Sequence, residues 1–294
     1  MIRTFTGVFI GIVAISFASI FIRFCSDVPS IMIATYRLTL SSVILLIIAK
    51  SKGIRFSSYN KKHLLMGILG GFFLSLHFSF WISSLKFTSV ASSVVLVTMN
   101  PIFIGIFSYL FFKEKQPAEL ILGIILSFLG SIILVVGDSG LQGLTVQNPS
   151  FLLGDILAFL GAIMASGYLM VGSKLREEMD VLPYISMVYT FSASFLLITA
   201  ISLQVPFTGY KPSSYFYMVL LAIVPQLIGH TAINWALKHL KASMVAITIL
   251  GEPIGASILA YIIFRETIKS FQSVGIILIF LAIIIASRRA KKYL

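Results

Sequence analysis

The stretch Asn100–Glu114, NPIFIGIFSYLFFKE, returns 152 residues later as Glu252–Glu266, EPIGASILAYIIFRE. Proline, tyrosine and glutamate keep their places in both copies: Pro101 and Pro253, Tyr109 and Tyr261, Glu114 and Glu266. The match continues at the same offset without a gap. Leu85-Lys86 meets Leu237-Lys238, Gly123–Leu126 meets Gly275–Leu278, and 16 positions between 85 and 133 are identical. Chance in a chain rich in Ile and Leu supplies on the order of a tenth of positions, so duplication is the better account. Earlier residues agree more weakly, with Gly7, Ala18 and Ser19 meeting Gly154, Ala165 and Ser166. The chain therefore divides into a first repeat, 1–137, a connecting loop, 138–150, and a second repeat, 151–294.

What surrounds the repeat is apolar. Of the 294 residues 58% are hydrophobic and only 11% charged, and the mean hydropathy is +1.03. Soluble domains carry roughly 25% charged residues, so this chain cannot cover itself with a water-facing surface. A bilayer core about 30 Å thick takes helices of roughly 20 apolar residues. Runs of that length are predicted at 4–22, 29–49, 64–84, 88–111, 119–136, 151–171, 182–203, 214–236, 242–264 and 270–287. They are apolar on all faces and lack the alternation of lipid-facing strands, so the expected fold is all-α with ten transmembrane helices. The first run follows Arg3 but shows no small-residue cleavage site, and it is read as a span rather than a signal peptide.

The net charge of +12 is a feature shared with nucleic-acid-binding chains, and its placement gives another reason for it. With a cytoplasmic N-terminus, 16 of the 22 Lys and Arg fall in cytoplasmic segments and five outside, while Arg37 lies within span 2. That bias is the positive-inside pattern and sets both termini in the cytoplasm. No nucleic-acid partner is implied. Cys25 is the only cysteine, which excludes an internal disulfide and a cysteine metal site.

Five spans per repeat is an odd number, so the second copy enters the membrane from the opposite face. Two inverted five-helix repeats are an architecture of secondary transporters, in which exchanging the shapes of the halves exposes a central site to each side in turn.

The half-repeats resemble the EamA-type domains of the drug/metabolite transporter superfamily. The resemblance rests on Tyr36-Arg37, on Asn100-Pro101 followed by Phe112-Lys113-Glu114, and on Gly123. It continues with Gly154-Asp155, with Glu252-Pro253 followed by Phe264-Arg265-Glu266, and with Gly275. It covers nearly the whole chain and implies ten helices, inside termini, a site lined by spans 3, 4, 8 and 9, and export of amino acids or other small metabolites.

The residues themselves suggest where a site lies. Pro101 and Pro253 sit inside their spans, where each removes a backbone hydrogen bond and frees a carbonyl one turn earlier, at Val97 and Ile249. They are paired hinge candidates, or static kinks filled by packing. Glu252 and Asn100 precede them. A carboxylate within a bilayer costs about 2.5–3.5 kcal/mol on insertion scales, so Glu252 should face a cavity or a partner. It is a candidate for proton coupling or for holding a substrate ammonium. His77 and Trp81 share a face of span 3, and Gln226, His230, Asn234 and Trp235 form a related group on span 8. Together they offer aromatic walls and a few polar anchors for zwitterionic or aromatic amino acids. The alternatives are interfacial tryptophans and histidines satisfied within the core. Arg37 is expected to snorkel outward or to pair with Asp155.

No phosphate-cradling loop, nucleophile elbow or zinc motif is present, and neither enzyme activity, cofactor nor metal is expected. The expected function is a plasma-membrane, alternating-access transporter of small molecules. The competing readings are a carrier of nucleotide-like or lipid-linked cargo and a non-transporting receptor or assembly factor. The lipid bilayer is the one certain partner, and a homodimer is compatible with the sequence.

Overall fold

A computed structural model describes residues 2–54, 56, 59–113, 118–139, 141–142, 145–146, 149–240 and 242–287. Arg55, Glu114, Lys115, Pro117, Lys241 and the basic residues Arg288, Arg289, Lys291 and Lys292 lie outside them. The described residues are helical almost throughout. The exception is a short antiparallel pair, β1 (Leu141–Gln142) on β2 (Thr145–Val146), in the segment between the repeats.

The first repeat contains α1 (Ile2–Ser16), α2 (Ala18–Phe24), α3 (Ser30–Ser51), α4 (Lys61–Ser84), α5 (Val90–Val97), α6 (Asn100–Phe112) and α7 (Ala118–Ser139). The second contains α8 (Pro149–Glu178), α9 (Val181–Ser202), α10 (Pro212–Leu221), α11 (Thr231–Ala236), α12 (Ala242–Ile249), α13 (Gly251–Phe264) and α14 (Ser270–Ser287). Between α10 and α11 the chain widens into a π-helical segment, Ala222–His230, around Pro225. Among the described residues seven helical runs are long and apolar enough to cross a membrane: Thr6–Phe24, Ser30–Ser51, Lys61–Ser84, Val90–Phe107, Pro149–Glu178, Val181–Ser202 and Pro212–Ala236. Three shorter apolar stretches join them, Ile121–Gly130, Gly251–Phe264 and Ser273–Ala282.

The outer surface suits lipid. Phe9, Ile47, Leu65, Ile198 and Phe216 are each more than half exposed. In water such a surface would aggregate, whereas in a bilayer it meets its own kind. Polar side chains go inward instead, with Arg37, Ser41, Gln226 and Asn234 fully buried. This inverts the usual order of a soluble domain.

Helix packing pairs elements across the two repeats. The main contacts run between α7 and α14, α4 and α8, α3 and α9, and α1 and the π-helical segment. Where helices cross closely, glycine makes room. A Cβ on Gly229 would stand 2.5 Å from Ile15 Cγ2, and one on Gly130 would stand 2.9 Å from the carbonyl oxygen of Gly275. Small residues at such crossings let backbones approach and gain dispersion contacts that lipid cannot match. The helix ends repeat as well. α6 is followed by Lys113 with φ of 53° and α13 by Arg265 with φ of 56°, left-handed residues 152 positions apart.

Candidate functional site

Two interrupted helices organise the centre. α5 stops at Val97 and α6 begins at Asn100, while α12 stops at Ile249 and α13 begins at Gly251. Val97 and Ile249 are the residues four before Pro101 and Pro253, and each break falls where a proline cannot donate to the preceding turn. In the first repeat the freed carbonyl is met. With its amide nitrogen turned toward the two carbonyls, as the network requires, Asn100 donates to Val97 O and to Ala162 O at 3.2 Å each. Thr98 Oγ1 donates back to Val94 O at 2.8 Å and helps close the turn.

A serine from the opposite repeat lies against the backbone carbonyl of the residue ahead of each proline. Ser166 Oγ donates to Ala162 O at 2.8 Å and reaches Asn100 O at 3.4 Å. Ser16 Oγ donates to Ile12 O at 2.9 Å and reaches Glu252 O at 3.5 Å. The side chains then differ: an amide that completes its hydrogen bonds, and a carboxyl that borders a cavity.

That cavity is ≈ 40 Å³ and lies between the broken helices and α4, α8 and the π-helical segment. His77, Trp81, Thr98, Asn100, Tyr168, His230 and Glu252 give its polar and aromatic lining. It has room for a few water molecules, so an amino acid would need the surrounding helices to part. His77 Nδ1 lies 3.0 Å from Gly161 O, which makes it the donor and directs the ring. The ring is stacked on Trp81 with centroids 6.0 Å apart and planes within 8°. The Trp81 indole N–H is buried and has no acceptor among the described residues.

Five of the residues singled out from sequence therefore line one cavity: His77, Trp81, Asn100, His230 and Glu252. Three do not. Asn234 lies behind it, accepting from Tyr168 Oη at 2.7 Å and donating to His230 O at 2.7 Å. Trp235 turns away toward Gly7 and His239, with its ring centroid 4.6 Å from that of His239. Gln226 faces Arg37, accepting from its Nε at 2.7 Å.

Arg37 corrects an expectation. It neither snorkels nor pairs with Asp155. It is 0% exposed, and its guanidinium carbon lies 4.1 Å over the Phe78 ring. Asp155 instead accepts from Thr88 Oγ1 at 2.8 Å. Both groups are short of water, and each meets a polar or aromatic neighbour on another helix rather than reaching an interface. The sequence reading also passed over Tyr168 and Phe78. Their signal was available in part, since Phe78 follows His77 directly and Tyr168 follows a Ser166-Gly167 pair on the same helix face as Ala165.

Contacts at the helix ends run both within and between the repeats. Arg23 Nη2 donates to Thr88 O at 2.8 Å, and the Val90 N–H donates to Glu266 Oε1 at 2.6 Å. The Asp27 carboxylate accepts from Lys211 N at 2.9 Å and from Ser214 Oγ at 2.6 Å, and these two donors hold it below the usual carboxylate range. At the other ends of the helices His63 Nε2 lies 2.7 Å from Glu178 Oε2. Lys238 Nζ lies 2.6 Å from Asp180, and that hydrogen bond and charge lower the Asp180 pKa. No group of three His, Cys, Asp or Glu able to hold a metal is found among the described residues.

The sequence matches the profile of the EamA-like transporter family over residues 4–136 and again over 152–288. Among curated proteins it is similar to the uncharacterized transporter YyaM of Bacillus subtilis, 25% identical over 259 residues covering 84% of this chain and 80% of that one. An uncharacterized transporter of Clostridium kluyveri is likewise 25% identical, over 78% of this chain and 72% of its own. The thiamine-repressible mitochondrial transport protein THI74 of Saccharomyces cerevisiae is 26% identical over 71% of this chain and 58% of its own length. One crystal structure shares the fold across 98% of both chains, with a TM-score of 0.70 at 18% identity.

Proposed function

The chain belongs to the EamA-like transporter family, a multi-pass membrane transporter family, and from that premise we propose that it exports amino acids or similar small metabolites across the plasma membrane by alternating access. In this reading ten spans form two inverted halves with both termini in the cytoplasm. The cavity between the broken helices is the transport site, and the prolines at its edge are the bending points.

The observation that carries this reading is the matched pair of interruptions, Val97 to Asn100 and Ile249 to Gly251, flanking one buried cavity. Broken helices that meet at a central site are a recurring device of inverted-repeat carriers, since freed backbone groups and bendable segments occur together there. The exchange of packing partners across repeats and the left-handed ends at Lys113 and Arg265 support the twofold relation. The distribution of Lys and Arg supports the orientation. Glu252 is the coupling candidate, as the ionisable carboxyl that borders the cavity.

The test is flux. Purified protein in sealed vesicles, offered a broad panel of amino acids and small metabolites, should give saturable, countertransport-stimulated movement of at least one class. Saturation without countertransport would argue for a channel-like path, and no saturable movement would end the transport-site reading. Thiol or reporter labelling that places the termini on opposite faces would remove the inverted topology.

A further inference from the structure

Arg37 is a buried charge that stands outside the lining of the central cavity. It is fully buried among apolar helices. Its Nε is satisfied by Gln226 Oε1 at 2.7 Å. Its other two nitrogens, Nη1 and Nη2, are buried with no hydrogen-bond partner, and no carboxylate of the described residues lies within ion-pair distance. A buried guanidinium with an open fork is a large standing cost. Such a cost is tolerated where an outside anion completes the pair.

The surroundings say how that anion would arrive. Phe78 lies beneath the guanidinium at 4.1 Å and is itself fully buried. On its other sides the same ring packs against His77, Trp81 and His230, with centroids at 4.8, 6.3 and 5.5 Å. Those three residues line the central cavity, so one aromatic ring separates the open fork from the space. The ionisable groups on the cavity side are His77 from α4, His230 from the π-helical segment, Tyr168 from α8 and Glu252 from α13. Tyr189 of α9 is near enough to Arg37 to interact with it electrostatically.

We propose that Arg37 is the carboxylate-binding residue of the transport site: its Nη1 and Nη2 receive the carboxylate of the cargo once the Phe78 ring moves aside. The planar fork of an arginine matches a carboxylate with two parallel hydrogen bonds, which a lysine cannot reproduce. The proposal rests on the transporter reading and narrows it to compounds carrying a carboxylate. Two sources share that chemistry. For an amino acid, an ionised Glu252 faces the ammonium; for a plain organic acid, a protonated Glu252 leaves the anion to Arg37.

The experiment uses the full chain in vesicles with three pairs of probes: pyruvate and succinate, alanine and phenylalanine, phenethylamine and putrescine. Arg37→Gln, Arg37→Lys and Gln226→Glu are assayed beside the wild type, with the melting temperature of each. The wild type should carry at least one carboxylate-bearing pair and neither amine. Arg37→Gln should lower kcat/KM by about 100-fold or more, the scale of removing one partner from a buried charge pair, and Arg37→Lys should restore little of it. Gln226→Glu is decisive even where the Arg37 variants do not fold. It places a permanent carboxylate beside the guanidinium, so it should keep or raise the melting temperature while suppressing carboxylate flux. Carboxylate flux that survives Gln226→Glu, or saturable flux of the amines, overturns the proposal and leaves the transporter reading standing. Absence of saturable flux for all four carboxylates while another compound of the wider panel is carried also overturns the proposal alone, and absence across the whole panel removes both.

Discussion

Ser16 of the first repeat reaches the backbone carbonyl of Glu252 in the second at 3.5 Å. Ser166 does the same for Asn100 at 3.4 Å, in the reverse direction between repeats. Each serine also bonds back to its own helix, to Ile12 O and Ala162 O respectively. The single hydroxyl proton serves the serine's own helix first, and the longer reach sets each inner turn against a helix of the other half. Each inner turn thus packs against the opposite half of the chain.

Glu252→Gln should leave folding intact, since the side chain borders the cavity and its backbone carbonyl keeps the Ser16 contact. Net accumulation driven by a pH gradient should be lost, while exchange of cargo between the two sides persists. Paired measurements of gradient-driven uptake and equilibrium exchange check this, and a wild-type pH profile in the variant would exclude Glu252 as the coupling group.

Pro101→Ala and Pro253→Ala should act alike. Each restores a donor one turn beyond Val97 or Ile249 and removes a ring that interrupts the helix, a feature that costs about 3 kcal/mol or more in a regular helix. Stability should rise or hold while turnover falls by about tenfold in each variant, a change of about 1.4 kcal/mol in barrier. Turnover number and melting temperature are the measurements. A drop for one proline and none for the other would mean that only one break bends.

Gly229→Ala should weaken the α1 crossing. The added Cβ would stand 2.5 Å from Ile15 Cγ2 and 3.2 Å from Ile15 N, and a backbone atom cannot step aside. Overpacking of this kind costs about 1–3 kcal/mol, to be read as a lowered unfolding midpoint in mild detergent. Gly53→Ala, on an open turn with φ of 69°, would meet no neighbour and tests strain alone.

Asp27 supplies a pH test outside the apolar core. Its folded-state pKa is lowered by the Lys211 N–H and the Ser214 hydroxyl. The contribution is therefore fully present above the unfolded pKa and is lost as pH falls through the lowered folded value. Asp27→Asn should reduce the melting temperature near neutral pH, and the gap from wild type should close in strong acid. A gap that stays constant with pH would show that the charge of Asp27 contributes nothing.

The apolar runs were legible because a bilayer imposes a length and a composition that few other solvents do, as Ser30–Ser51 and Val181–Ser202 show. The interruptions at Val97 and Ile249 were legible because proline acts on its own helix, at a fixed distance. The π-helical segment was less so. Pro225 stands opposite Phe73 in the repeat register, so symmetry gave no warning, and a wide turn satisfies the backbone there instead of a break. Least legible were partners on other helices. The sequence leaves Arg37 to snorkel outward or to pair with Asp155, yet its neighbours are Gln226 and Phe78. Nothing in the spacing of 37, 78 and 226 announces that meeting. Trp235 shares its helix with His230 but faces outward by one residue's rotation, which a repeat alignment of uncertain register does not resolve.

The mismatch between Asn100 and Glu252 reaches beyond local bonding. Two halves of identical chemistry would make the mirrored shapes of the molecule equal in energy, and an idle carrier would divide its time evenly between them. Here one inner turn holds a group that never ionises and the other holds one that does. If the halves exchange shapes as proposed, the two states differ in energy by an amount that acidity tunes, and the idle molecule rests with one particular door ajar.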